Sequence, residues 1–141
     1  MQIVTQLAVF LANRPGALAR LCEALALAGI NIHAISTSDT VDHTVVRLVV
    51  TDPRKALFLL EERGTLVVEN DVLLIEIENQ PGALADIAGR LAQAQINIEY
   101  LYSTAPPAAS RVNMILRVSD ARRALRVLHA KPRAARRPSK A

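Results

Sequence analysis

The pattern of apolar and polar residues predicts the same order of elements twice along the chain. Residues 7–11 and 72–77 are short apolar runs bounded by turn residues, as is typical of first strands. After each run, apolar residues recur at helical spacing, which predicts two amphipathic helices whose apolar stripes face the core. The stripes are Leu18, Leu21, Cys22 and Leu25 in the first copy, and Leu84, Ile87, Ala88 and Leu91 in the second.

The same order continues in both copies. Second strands open at Asn31 and Asn97, each flanked by isoleucines, and second helices are predicted over 53–62 and 121–129. Alternation places six residues of the third strands on the core face: Val46, Leu48, Val50, Met114, Leu116 and Val118. Residues 66–69 close the first copy as a strand, whereas the aligned residues 133–137 are mostly basic. The last strand of the second copy is therefore either absent or supplied by another subunit.

Alignment of the chain with itself supports the prediction of a duplicated module. A shift of 66 residues aligns 13–32 with 79–98 and gives 12 identities in 20 positions. Further on the shift becomes 68, which predicts a two-residue insertion in the loop-like segment 105–109. The order β-α-β-β-α-β is the ferredoxin-like unit. We therefore predict an α+β protein of two such modules in tandem, 1–70 and 71–130, with antiparallel sheets and helices on one face.

Composition narrows the class of protein. Hydrophobic residues make up 51% of the chain and aromatic residues only 3%, so the core is aliphatic. Five of the 17 basic residues lie in 131–141, which leaves 12 against 13 acidic residues in the rest. The basic charge thus belongs to a tail that we expect to be disordered, and nucleic acid is not expected as a partner.

The single cysteine, Cys22, fits a reducing compartment, and the cytoplasm is the expected location. No apolar run approaches the ~20 residues of a membrane helix, and the N-terminus has no signal-peptide pattern. His33, His43 and His129 are scattered, with no spacing that suits a metal site or a catalytic triad. We expect no cofactor, no metal and no catalytic residue. Tyr100 and Tyr102 are expected to point to opposite faces of a strand, with only one in the core.

The turn between first strand and first helix is the best candidate for a binding site. Gly16 and Gly82 let a ligand approach the backbone at a helix N-terminus, where free N–H groups attract a carboxylate or phosphate. Asn13 and Asn79 add a donor and an acceptor beside the same turns. The alternative is that this motif is only a good turn and helix start. From the turn alone, that alternative is favoured.

The duplicated segments Asn13-Arg14-Pro15-Gly16-Ala17-Leu18 and Asn79-Gln80-Pro81-Gly82-Ala83-Leu84, with Asn31 and Asn97 between isoleucines, resemble the ACT domain family of amino-acid-binding modules. The second half is most similar to stand-alone bacterial tandem-ACT proteins. The resemblance implies that an amino acid binds between modules, held by the loop after the first strand and by the start of the second. The implied ligand-binding residues are Asn13, Arg14, Pro15, Gly16, Ala17, Leu18, Asn31, Asn79, Gln80, Gly82, Ala83, Leu84 and Asn97.

The expected function is therefore that of a non-catalytic regulatory protein that binds a free amino acid, as a homodimer paired through exposed sheet edges. Pairing of second strands between the two modules would bring an asparagine of one copy toward the helix terminus of the other. The alternative is a regulatory subunit of a biosynthetic enzyme such as acetolactate synthase. An enzyme in its own right would need a nucleophile, base or cofactor cradle, and the sequence shows none.

Overall fold

A computed structural model describes residues 1–130 of the chain, in ten elements. In chain order they are β1 (Gln2–Ala12), α1 (Ala17–Leu27), β2 (Ile32–Asp39), β3 (His43–Val50), α2 (Pro53–Glu62), β4 (Leu66–Glu78), α3 (Ala83–Gln93), β5 (Ile98–Thr104), β6 (Arg111–Val118) and α4 (Ala121–His129). The predicted βαββαβ order is confirmed. The predicted tail, 131–141, lies outside the described residues.

The second helices have the predicted bounds because their starts are strongly marked. Asp52 and Asp120 cap α2 and α4, and each side chain accepts a hydrogen bond of 3.0 Å from the backbone N–H three residues later. Pro53 occupies the first turn of α2, where a missing N–H costs nothing. The predicted insertion, 105–109, lies in the loop between β5 and β6.

The strands form one antiparallel sheet of six, in the order β2-β3-β1-β4-β6-β5, where the sequence suggested a separate sheet for each module. The reason is β4. The two strands expected at 66–69 and 72–77 are one continuous strand of 13 residues, since the junction Asn70-Asp71 contains no Pro or Gly that would break it. This strand pairs with β1 from Gln2 opposite Leu74 to Phe10 opposite Leu66.

The start of β1 takes the place of the fourth strand of the second module. Residues 2–4 pair with 72–74, beside the first strand of that module, where a ferredoxin-like unit has its last strand. Ile3 packs against the core of the second module, and Val67 of β4 packs against the core of the first. The first module is thus closed by its own residues 66–69, as predicted, whereas the second is closed by residues 2–4 of the first module, within one chain.

All four helices cover one face of the sheet. Leu7, Val9, Leu21, Leu25 and Leu60 belong to the first core, and an equivalent cluster lies under α3 and α4. The predicted core residues of β3 and β6 lie in these clusters, as expected.

The predicted apolar stripes of α1 and α3 are wrong at their first residues. Leu18 and Leu84, each in the first turn of its helix, are 43% and 36% exposed. Cys22 is only half-buried.

The face opposite the helices is strongly concave. Arg47 of β3 stacks on the Tyr100 ring of β5 at 4.1 Å from its centroid, although four strand spacings, ~19 Å in a flat sheet, separate these strands. Gln6, the one polar side chain in the fully buried set of the described residues, donates to the Tyr100 hydroxyl at 2.7 Å and accepts from the Tyr102 hydroxyl at 2.9 Å.

The expectation that Tyr100 and Tyr102 point to opposite faces was wrong. Residues two apart on a strand share a face, and both hydroxyls reach Gln6. Burial raises the pKa of the Tyr102 hydroxyl well above its ordinary value, with Tyr100 adding to the rise and Arg47 opposing it. The Tyr102 hydroxyl therefore remains a hydrogen-bond donor at neutral pH.

The shared strand predicts a stability effect far from the first core. Ile3→Ala removes a half-buried side chain from the second core and should lower the free energy of unfolding by about 1–2 kcal/mol. Leu27→Ala is the control, because Leu27 is 88% exposed and its loss should change stability by less than ~0.5 kcal/mol. Urea denaturation of both variants measures the difference; equal stabilities would contradict the placement of Ile3.

Candidate functional site

Both turns between first strand and first helix adopt the same backbone conformation. Gly16 and Gly82 have φ of 86° and 88°, in the left-handed region that favours glycine, and turn the chain directly into α1 and α3. No side chain caps either helix. Within residues 1–130 the N–H groups of Leu18 and Ala19 make no hydrogen bond, so the start of α1 presents free donors.

Asn13 and Asn79 tie these turns to the neighbouring hairpin loops. The Asn13 side-chain amide donates to the Thr40 carbonyl at 3.4 Å, and that of Asn79 donates to the carbonyls of Ala109 and Pro107 at 2.8 and 3.3 Å. Both asparagines thus brace a neighbouring hairpin loop through their side-chain amides. Within the part of the chain that the structure describes, each side-chain oxygen accepts no hydrogen bond.

Asn31 and Asn97 lie far from the turn of their own module. Their backbone N–H groups donate to the hydroxyls of Thr51 and Ser119, at 3.1 and 3.0 Å. Ala12 pairs with His43 at one end of β3, whereas Ile32 pairs with Val50 at the other, a separation of ~23 Å.

The antiparallel β1–β4 pair places the turn of one module and the second-strand asparagine of the other at the same end of the sheet. They remain three strands apart, because the modules join through β1 and β4. The expected pairing of β2 and β5 between the modules does not occur within the chain. Both strands are edges of the sheet instead, as a ferredoxin-like order predicts.

Two cavities open beside the first turn, and their charged lining is basic. A cavity of about 210 Å³ is lined by Asn13, Arg14, Ala17 and Leu18 together with Thr37, Thr44 and Val46. A larger one, about 780 Å³, extends over the helix side and is lined by Arg14, Arg20, Arg63 and His43, with no Asp or Glu among the described residues of its wall. Within residues 1–130 these three arginines form no salt bridge.

The cavity beside the second turn has the opposite charge. About 520 Å³ in volume, it is lined by Gln80, Pro81, Gly82 and Ala83 along with other residues of the module. Its charged groups are the carboxylates of Glu76, Glu78 and Asp86 and a single guanidinium, that of Arg111, which pairs with Glu76. Three carboxylates against one paired arginine make this turn unfavourable for an anion.

Sequence reasoning missed the charge difference between the two turns. Arg20 and Asp86 occupy equivalent positions in the repeat, as do Arg14 and Gln80, so the aligned copies carried a signal for it. Arg63 gave no such signal, because only the fold brings the end of α2 to the first turn. No group of three His, Cys, Asp or Glu side chains among the described residues is arranged to hold a metal ion. No described helix is long and apolar enough to cross a membrane.

Known structures are similar to this chain over most of its length. Protein BT0572 from Bacteroides thetaiotaomicron is 35% identical, with a TM-score of 0.84 over 89% of this chain and 86% of its own. The regulatory subunit of aspartate kinase from Thermus thermophilus is 21% identical, with a TM-score of 0.67 over 92% of this chain and 96% of its own. At that identity the likeness concerns the fold alone.

The comparison with curated proteins gave no match. The family model described as "ACT domain pair" matches residues 1–132, which is nearly the whole chain. With the repeated βαββαβ order and the paired turns at Gly16 and Gly82, this match shows that the chain belongs to the ACT domain pair family.

Proposed function

We propose that this protein is a non-catalytic, cytoplasmic regulatory protein that binds a free amino acid at the turn formed by residues 13–16 and the start of α1. The observation that carries the proposal is the convergence of unpaired donors on this turn. Free N–H groups of Leu18 and Ala19 and the side chains of Arg14 and Arg20 surround it without a carboxylate in the cavity walls. Such a setting favours an anionic group.

An amino acid matches the remaining chemistry of the smaller cavity. Its carboxylate suits the helix N-terminus and Arg14, while its ammonium suits the side-chain oxygen of Asn13 and the hydroxyls of Thr37 and Thr44. The volume of about 210 Å³ is below the ~300–1,000 Å³ of sites for drug-sized ligands. A small metabolite is therefore the appropriate size class.

The two turns are proposed to bind unequally. The carboxylates of Glu76, Glu78 and Asp86 would repel the carboxylate of a ligand at the second turn, where Gln80 replaces the arginine of the first. We retain the ligand-binding residues predicted at the second turn as a weaker site; with Gln80 they are Asn79, Gly82, Ala83, Leu84 and Asn97. The principal site is the first turn, with the predicted ligand-binding residues Asn13, Arg14, Pro15, Gly16, Ala17, Leu18 and Asn31.

A homodimer would complete the principal site. The exposed edge β2 can pair with a second copy of itself in antiparallel fashion about a two-fold axis. That pairing would carry the partner subunit's Asn31 toward the Asp39 end of β2, the end at which Asn13 lies. The ligand would then sit between modules of two subunits and bias their arrangement.

The family supports a regulatory role, and one neighbour supports a second candidate. A chain described as the regulatory subunit of aspartate kinase matches over 96% of its length, so a protein with this fold can be an enzyme subunit. We retain a regulatory subunit of an amino-acid biosynthetic enzyme, such as acetolactate synthase, as the alternative. Co-purification with a larger enzyme after mild affinity capture would favour that alternative over a free-standing sensor.

Thermal-shift and calorimetric titration with the twenty amino acids tests the proposal, since a ligand that binds only the native state raises its melting temperature. At least one amino acid should bind, and Asn13→Ala or Arg14→Gln should weaken it about tenfold or more, because a hydrogen bond to a charged group contributes ~1.5–3 kcal/mol.

The matched controls are Asn79→Ala and Gln80→Ala in the second turn, which should leave the principal affinity within about twofold, the scale of a surface change of ~0.5 kcal/mol. Absence of binding by any amino acid would refute the proposed function. Equal losses from the two sets of variants would refute the inequality of the turns.

A further inference from the structure

The concave face of the sheet has two halves related by a pseudo-two-fold axis. Thr5 and Asp71 are equivalent under the shift of 66 residues, and they pair with each other near the centre of the β1–β4 ladder. The edge strands also correspond. Ala34 pairs with Val49 after an irregularity in β2, and Tyr100 pairs with Arg117 after an equivalent irregularity in β5.

The half contributed by β5 carries the larger side chains. Around Gln6 the half contributed by β5 holds the rings of Tyr100 and Tyr102 and the guanidinium of Arg47, joined by hydrogen bonds and stacking. Every polar atom of this cluster that is buried has a partner among the described residues. The two phenol rings therefore fill the concavity and satisfy the buried amide.

In the other half the equivalent positions carry small or aliphatic residues. Ala34 corresponds to Tyr100, Ser36 to Tyr102, Val72 to Gln6 and Ile115 to Arg47. A cavity of about 520 Å³ remains there. Ala34 and Ile115, the equivalents of Tyr100 and Arg47, both line it, so the cavity adjoins the positions where the related half carries a phenol ring and a guanidinium.

The walls of this cavity combine an apolar floor with a polar rim. The floor consists of Val4, Ala34, Val49, Leu74 and Ile115, residues of both modules. Gln2, Thr5, His33, Thr104 and Asn113 supply the polar groups. Among residues 1–130, no Asp, Glu, Lys or Arg lines it, so a ligand must be uncharged where it is enclosed.

We propose that this cavity is a second binding site, separate from the amino-acid site, for a small uncharged aromatic compound that carries a hydroxyl group. The ring would cover the aliphatic floor as Tyr100 covers its own half, and the hydroxyl would meet the amide and hydroxyl groups of the rim. Because both modules form the walls, an occupant stabilises their mutual arrangement.

The experiment is a titration of the full chain with p-cresol, the side chain of tyrosine as a free molecule, followed by amide chemical shifts in ¹⁵N-labelled protein. Saturable shifts are expected at Ala34, Val49, Leu74 and Ile115, with a dissociation constant of roughly 0.1–1 mM for so small a ligand. The turn at 13–16 should not respond.

A variant that supplies the missing ring should abolish these shifts. Ala34→Phe places an aryl group in the cavity, whereas Ile35→Phe adds the same group to the neighbouring residue of β2, whose side chain is 41% exposed and points to the other face. The first variant should lose p-cresol binding at least tenfold, and the second should keep it. Asn13→Ala should also keep it.

The wild-type titration decides the proposal even if Ala34→Phe fails to fold, and Ala34→Leu then serves as the smaller filling variant. Lack of saturable shifts up to about 10 mM, ten times weaker than a 1 mM affinity, overturns the proposal. Shifts confined to residues 13–16 also overturn it. Failure of the amino-acid site would appear separately, as loss of amino-acid binding with p-cresol binding retained.

Discussion

The structure depends on the antiparallel ladder between β1 and β4. Nine residue pairs join these strands, from Gln2 opposite Leu74 to Phe10 opposite Leu66, and each strand is long enough to serve both modules. A ferredoxin-like module of ~65 residues is marginal alone, because it buries too small a fraction of its surface. Here the first residues of β1 complete the second module, and the first residues of β4 complete the first. The ladder also orients the modules in opposite directions, which puts their two helix-start turns at opposite ends of one sheet.

Within this shared frame the two halves differ in chemistry. The first turn is surrounded by Arg14, Arg20 and Arg63, and the second by acidic side chains, so the same glycine-turn backbone presents opposite fields to a ligand. The concave face differs as well, with two tyrosine rings in one half and a cavity in the other. The duplicated modules therefore share the same backbone geometry. The side chains that differ between them determine which turn, and which half of the concave face, is open to a small molecule.

Much of the fold followed from local signals, and the rest required pairing information. Asp52, Pro53 and Asp120 mark the second helices so clearly that their bounds were predicted, and the repeat identified the module. The apolar pattern could not reveal that the two predicted strands were one, since three consecutive polar residues, Glu69, Asn70 and Asp71, interrupt it. The binding sites were harder to predict. The repeat and the family resemblance identified the turn residues. Arg63 reaches the first turn only through the packing of α2, and the role of Gln6 depends on tyrosines about 95 residues later in the chain.

The claim that shared strands make the two modules one structural unit can be tested by differential scanning calorimetry of the ligand-free protein. If β1 and β4 complete both cores, neither module can melt while the other remains folded, and the protein should unfold in one transition whose calorimetric and van't Hoff enthalpies agree. Two resolved transitions, or a van't Hoff enthalpy near half of the calorimetric value, would contradict the account.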